Sequence, residues 1–338
     1  MNTVEKHTLL TYLQTELSVN APLTLEPLIG GVSNLTYRLS DGQQYWIIRT
    51  SPSGTKAKGA HDMVREYQIL KALKPDYPLS PQALLLIDDS AVFSRPLYAM
   101  EAKEGIAIQH KLPSQYSEDQ LPLLGQSVIE AQYRLHQVPM TTTLAAFNNG
   151  RGYIERQVKG WIMRLQNVLP DHGSAKIISH WLVRQQPSDK RDYVLIHNDF
   201  KFDNLLFNKD KPTEVTAVLD WEMATVGDPL MDLGCSLAYW FTAEDAPAIK
   251  HISTQPTTHK GMLSRDEYVD YYCRLSGVDL DNYDFYYVFG LYRLIVIVQQ
   301  IYFRNQQSQN PNPRFEPFGQ IRDLLITHTL DIIGDKNV

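Results

Sequence analysis

The chain of 338 residues has only two cysteines, Cys235 and Cys273. Two thiols make no disulfide framework, and so few suit a reducing compartment, where both serve as small buried hydrophobes. An excess of basic residues is also missing. The net charge is −6 and the pI is near 5.9, so composition offers no surface for nucleic acid or anionic lipid. No apolar segment follows a basic start, so no signal peptide is expected. The most apolar late run, Leu294-Ile295-Val296-Ile297-Val298, is five residues long between Arg293 and Gln299, too short by itself to span a bilayer. There is no repeat and no low-complexity tract. These absences lead to the expectation of a cytoplasmic protein with neither nucleic-acid nor membrane partners. What is present is ordinary for a globular chain, 43% apolar and 21% charged, with length enough for two lobes with separate cores.

Two short blocks carry the chemistry. His197-Asn198-Asp199-Phe200-Lys201-Phe202-Asp203-Asn204 follows the β-branched, apolar run Tyr193-Val194-Leu195-Ile196. Asp220-Trp221-Glu222 follows Val215-Thr216-Ala217-Val218-Leu219. Both runs read as buried strands, which places His197 and Asp199 at one strand end and Asp220 at another. Leu205-Leu206-Phe207 is a third strand, and Asn208-Lys209-Asp210-Lys211-Pro212 is a polar turn between the two.

These residue types suit phosphoryl transfer to a hydroxyl. One carboxylate orients the hydroxyl and takes its proton, the role expected of Asp199. Mg²⁺ bridges triphosphate oxygens and prefers hard oxygen ligands, the role expected of Asn204 and Asp220. Asp199 and Asn204 are five residues apart, the spacing of a kinase catalytic loop. Lys201 is a candidate to neutralise charge on the transferring group, with Asp203 beside it facing the cleft. Asp228 and Asp232 read as structural: Asp228-Pro229 as a turn, Asp232 as the start of a helix, both steadying the loop.

Toward the N-terminus, Leu25 to Ile29 and Leu35 to Leu39 read as strands around Gly30-Gly31-Val32-Ser33-Asn34. Gly30 and Gly31 permit a tight loop whose N–H groups approach phosphate, with Ser33 and Asn34 adding side-chain donors. Asp41-Gly42 is a hairpin turn before the strand Tyr45-Trp46-Ile47-Ile48-Arg49. A kinase template puts Lys on such a strand, paired with a helical Glu. Here the strand ends in Arg49, while Lys56 and Lys58 lie in the following loop. Met63, Tyr67 and Leu70 recur at helical spacing, so Glu66 lies on a helix as the partner of Arg49.

His197 to Asn204, Asp220-Trp221-Glu222 and Gly227-Asp228-Pro229-Leu230-Met231-Asp232-Leu233-Gly234 resemble the catalytic motif and metal loop of the aminoglycoside phosphotransferase and choline kinase-like family. Gly152-Tyr153-Ile154-Glu155-Arg156-Gln157-Val158-Lys159-Gly160-Trp161 and the stretch from Phe285-Tyr286 to Arg304 resemble the branch also found fused to acyl-CoA dehydrogenases. The likeness runs from about residue 24 to about 325. It implies an α+β, two-lobed, protein-kinase-like fold: a β-rich N-lobe over 1–100, a hinge at 101–105 and a helical C-lobe over 106–338. It implies ATP and Mg²⁺ as cofactors, a phosphate role for Arg49, and backbone around Glu101 and Ala102 bonding the adenine. The implied acceptor is a hydroxyl on a small molecule, such as a hydroxy acid or its acyl-CoA thioester. Asn198 departs from the family, which usually carries Gly there, and this bears on the loop backbone. An antibiotic kinase and a nucleotide-binding pseudokinase are the alternatives. The first lacks an evident acidic acceptor surface, and intact Asp199, Asn204 and Asp220 argue against the second.

The remainder reads as helical. Leu121, Leu124, Val128, Ala131 and Leu135 form an apolar stripe ending at His136, a helix C-terminal histidine with a satisfied hydrogen bond. Tyr153 to Leu169 and Asp284 to Arg304 are further helices. Two readings stand for the last: a core helix, or one whose Tyr286, Arg293 and Gln299 line an acceptor pocket. An Arg in so apolar a run needs either a partner in the protein or an anionic ligand.

Overall fold

The computed structural model describes residues 3–28, 34–52, 62–171, 173–278, 280 and 283–334. Gly30, Gly31, Ser33, Lys56, Lys58 and Asp281 lie outside the described residues. After α1 (Thr3–Glu16) come β1 (Thr24–Pro27), β2 (Leu35–Ser40), β3 (Tyr45–Thr50), α2 (Met63–Leu73), β4 (Ala83–Ile87) and β5 (Leu97–Glu101). The five strands form one antiparallel sheet in the order β1-β2-β3-β5-β4. Gly42, at φ 92, supplies the left-handed residue that the β2–β3 turn requires.

Strand alternation decides what this sheet can do. On β3, Ile48 points to a small core with Leu9 and Leu13 of α1, Leu39, Leu97 and Ala99. Its neighbours Ile47 and Arg49 therefore face the other way, into the cleft. The side that carries α2 has no core of its own: Met63, Ile69, Leu70 and Leu73 join the large core of the rest of the chain. The expectation of separate cores thus holds for one face of the sheet only.

Beyond β6 (Ile106–Ala107) the chain is mainly helical: α3 (Leu121–His136), α4 (Thr142–Ala145), α5 (Tyr153–Val168) and α6 (Gly173–Arg184). Then β7 (Val194–Ile196), β8 (Leu205–Phe207), β9 (Val215–Val218) and β10 (Thr225–Gly227) frame the two sequence blocks. β8 and β9 form the expected hairpin, with β6 on its edge, and β10 pairs with β7. The last helices are α7 (Pro229–Leu237), α8 (Pro247–Ile252), α9 (Arg265–Ser276), α10 (Asp284–Gln306) and α11 (Phe318–Gly334). The α7 helix starts earlier than expected. Asp228 is its N-cap, accepting from Leu230 N at 2.8 Å, and Asp232 lies inside it.

The α10 helix has 23 residues and enough apolar character to cross a membrane by length and composition alone, but its apolar window is 72% buried inside the protein. It is a core helix packed on α5, α7 and α11. Its crossing with α7 is close: a Cβ at Gly290 would meet the Gly234 carbonyl oxygen at 2.0 Å, and one at Gly234 would meet that of Tyr286 at 2.1 Å. No other residue type fits there.

Candidate active site

A cleft of about 320 Å³ lies between the N-terminal sheet and the β8–β9 hairpin. Asn34, Arg49, Glu101, Ala102, Asn204 and Asp220 all line it, together with Asp203 and Glu222. Residues far apart in sequence and read separately as site residues thus share one wall or another of a single space.

Arg49 is 8% exposed and Glu66 2%, and they pair as expected at 3.2 Å. Burial raises the Glu66 carboxyl, and the Arg49 charge opposes that rise. Arg49 also does something the sequence did not suggest: both terminal nitrogens reach Asp220 Oδ1, at 3.0 and 2.9 Å, and one approaches Glu222 Oε2 at 3.4 Å. Asn34 Nδ2 donates to the same Glu222 oxygen at 2.6 Å. Glu222 therefore ties two N-terminal residues to the turn after β9.

The loop after β7 is built on His197, which is fully buried. Its Nδ1 accepts from Asp199 N–H at 3.3 Å, so its proton sits on Nε2, which donates to Leu219 O at 3.0 Å. Burial lowers the His197 pKa, and a neutral ring suits this bridging role. It joins the two sequence blocks, with Trp221 packed edge-on 4.8 Å away. Asn198 has φ 63 and Asp220 φ 64, the left-handed region that most side chains avoid. Asn tolerates this conformation better than most residues, so the Asn198 that departs from the expected Gly can still adopt it.

Asp199 is held on several sides. Lys201 Nζ lies 2.9 Å from its carboxylate and 4.7 Å from the Tyr239 ring. Asn204 Nδ2 donates to Asp199 Oδ2 at 2.9 Å and to Asp199 O at 2.8 Å. Burial would raise the Asp199 carboxyl, but the charges of Lys201 and Arg293 outweigh it and hold the group below the ordinary carboxylate value. The residue is anionic at neutral pH. Because the Asn204 amide nitrogen is committed to Asp199, its oxygen is the atom left to turn toward the cleft. With the Asp220 side chain, 37% exposed, this makes a hard-oxygen pair. Mg²⁺ keeps several waters and needs only one or two protein ligands, so the pair fits it. Among the described residues no cluster of three or more His, Cys, Asp or Glu side chains could hold a metal by itself.

Asp232 anchors the loop from below. Fully buried, it accepts from Asn198 N at 2.5 Å, His197 N at 3.3 Å, His136 Nε2 at 3.0 Å and Gln132 Nε2 at 3.2 Å. His136 also meets Tyr272 at 2.7 Å and is a satisfied structural histidine, as read. Asp203 accepts from Gln255 at 2.8 Å.

One expectation is narrowed, and one of two alternative readings falls. At the linker, Glu101 N–H is already bonded to Gln82 O at 2.9 Å, so that residue can offer a base only its carbonyl. The acceptor pocket of Tyr286, Arg293 and Gln299 is not formed. All three are 5% exposed or less. Tyr286 accepts from Arg191 at 2.9 Å, Gln299 donates to Val168 O at 2.9 Å, and Arg293 donates to Asn198 O. The partner that Arg293 required is a backbone carbonyl, which no side-chain pattern reveals.

The profile of the phosphotransferase enzyme family matches residues 24–281. This chain belongs to that family. Among curated relatives it is 32% identical over 315 residues to mouse acyl-CoA dehydrogenase family member 10, covering 90% of this chain and 28% of that protein. It is 30% identical over 295 residues to human acyl-CoA dehydrogenase family member 11, covering 86% and 37%. The chain therefore spans about a third of the length of the curated relatives it matches. Among solved structures, a Ralstonia eutropha protein assigned to the aminoglycoside phosphotransferases superposes with a TM-score of 0.82 at 22% identity, covering 98% of each chain. The GDP complex of aminoglycoside 2'-phosphotransferase-IIIa gives 0.62 at 14% identity, covering 97% of this chain and 98% of that one. These likenesses establish the protein-kinase-like phosphotransferase fold. Glu222 is a charged member of the cleft to which the sequence assigned no role of its own. Its only signal was its place two residues after Asp220 on the same turn.

Proposed function

We propose that this phosphotransferase moves the γ-phosphate of ATP to a hydroxyl on a small molecule, with Mg²⁺ as cofactor. The observation that carries this reading is the convergence of Asn204, Asp220 and Arg49 at one cleft, with Asp199 hydrogen-bonded to Asn204 at 2.9 Å. Asp199, anionic and oriented by Lys201 and Asn204, accepts the proton of the attacking hydroxyl. Asn204 and Asp220 hold Mg²⁺, which when bound neutralises charge on the phosphate oxygens. Arg49, steadied by Glu66, meets the phosphates as a fork rather than as the usual lysine point charge. The linker near Glu101 and Ala102 takes the base, and the phosphate role expected of Gly30, Gly31, Ser33 and Asn34 rests on their sequence, the first three lying outside the described residues. Lys201 offsets charge on the group in flight.

The acceptor in this reading is a hydroxy acid or its acyl-CoA thioester. With Arg293 committed to the loop, one exposed cation near it is Arg164, 4.7 Å from the Trp161 ring that also contacts Arg293. The test is a panel of hydroxy acids, acyl-CoA thioesters, neutral alcohols and aminoglycosides, read by ATP-dependent ADP release. Turnover confined to anionic acceptors is the expected result. Turnover confined to aminoglycosides would replace the acceptor assignment, and none with any class would point to a nucleotide-binding module.

A further inference from the structure

The peptide between Asn198 and Asp199 is pinned at both of its polar atoms. Its N–H, belonging to Asp199, donates to His197 Nδ1 at 3.3 Å, and its carbonyl, belonging to Asn198, accepts from Arg293. The rest of Asn198 is fixed separately: N–H by Asp232 at 2.5 Å, Nδ2 by Met223 O at 3.1 Å and Oδ1 by the Tyr153 hydroxyl at 3.4 Å. A left-handed non-glycine residue persists only where its surroundings over-determine it. Of these contacts, the one from Arg293 holds the carbonyl and, with the His197 contact on the N–H, fixes the plane that leads into Asp199.

Arg293 is built for that contact. It is 5% exposed, with its guanidinium 5.3 Å from the Trp161 ring centre and near the Cys235 sulfur. Among the described residues no carboxylate forms an ion pair with it. Burying a cation against a carbonyl, a sulfur and a ring is a poor way to stabilise a fold. The glycine crossing of α7 and α10 makes the reach geometrically feasible, since Arg293 lies one turn beyond Gly290 on the same helix face.

We infer that Arg293 is a positioning residue for Asp199: by holding the Asn198 carbonyl it fixes the peptide plane that aims the carboxylate. The inference rests on the reading of Asp199 as the base. The test uses the full chain with Mg²⁺ and ATP, water serving as acceptor. The rate of ADP formation and the ATP dissociation constant are measured for the parent, Asp199→Asn, Arg293→Met and Arg293→Lys. A misaimed carboxylate lowers the rate of Arg293→Met roughly 10- to 100-fold with the ATP dissociation constant within about twofold of the parent, and Arg293→Lys recovers part of the rate. If Arg293→Met does not fold, Trp161→Leu keeps the charge but frees the guanidinium, and its rate falls several-fold with ATP binding unchanged. An Arg293→Met or Trp161→Leu rate equal to the parent's while Asp199→Asn is slow overturns the inference alone. Parallel loss of rate and ATP binding with no recovery in Arg293→Lys does the same. An Asp199→Asn protein as fast as the parent overturns the base assignment, and the inference with it.

Discussion

Arg49 gives both terminal nitrogens to a single oxygen of Asp220, 171 positions away in sequence, at 3.0 and 2.9 Å. The cation assigned to the phosphates and the carboxylate assigned to the metal are thus already paired across the cleft. With Glu66 and Glu222 also against it, one guanidinium faces three carboxylates. A divalent cation held by Asp220 would offset part of that negative charge.

Removing the guanidinium should therefore act twice. Arg49→Ala loses the phosphate contact and leaves Glu66 buried without its counter-charge, so it should weaken ATP binding and lower thermal stability together. The stability loss should be about 3 kcal/mol, typical of breaking a buried pair. Arg49→Lys restores charge but not the fork, and should recover stability more fully than nucleotide affinity. Calorimetric ATP titration and thermal unfolding separate the two effects. If both variants match the parent, Arg49 leaves the account and Lys56 or Lys58 becomes the better candidate.

Metal dependence follows from the Asn204–Asp220 pair. ATP should raise the melting temperature far more with Mg²⁺ than with EDTA, since a ligand that binds only the folded state stabilises it according to its affinity. Asp220→Asn should shrink that difference. Equal shifts in Mg²⁺ and EDTA would remove both residues from metal binding.

Asp232 makes the acid side of stability predictable. Burial would raise its carboxyl, but hydrogen bonds from His136 and Asn198 and the nearby imidazoles hold it below the ordinary value. A carboxyl depressed in the folded state adds stability above its unfolded value near 4, and loses it as pH falls through the lower folded value. Asp232→Asn, which sets an amide against four donors, should cost about 3 kcal/mol at neutral pH. The gap should narrow below about pH 4, as Asp232 becomes protonated in the parent. A gap that widens on acidification would contradict the assignment.

The elements and the placement of the catalytic loop were legible because they depend on local pattern. Apolar strand runs located β3, β7, β8 and β9, and the spacing of Asp199 to Asn204 located the loop. What escaped the sequence depends on long-range geometry. That Glu222 gathers Asn34 and Arg49 follows from how the sheet sits over the β9 turn. That Arg293 serves a backbone carbonyl follows from a glycine–glycine crossing and a left-handed Asn198. The α10 helix left two readings open, core helix or pocket wall, because its arginine lacked a partner in sequence; it is a core helix, and the partner is the main chain.

The most direct test of phosphoryl transfer through Asp199 follows the label from [γ-³²P]ATP into an acceptor found in the panel, comparing the parent with Asp199→Asn at equal ATP occupancy. The account predicts Mg²⁺-dependent labelling of the acceptor hydroxyl by the parent. It predicts a rate roughly 10²- to 10⁴-fold lower in Asp199→Asn with ATP binding retained. Undiminished labelling by Asp199→Asn would contradict it.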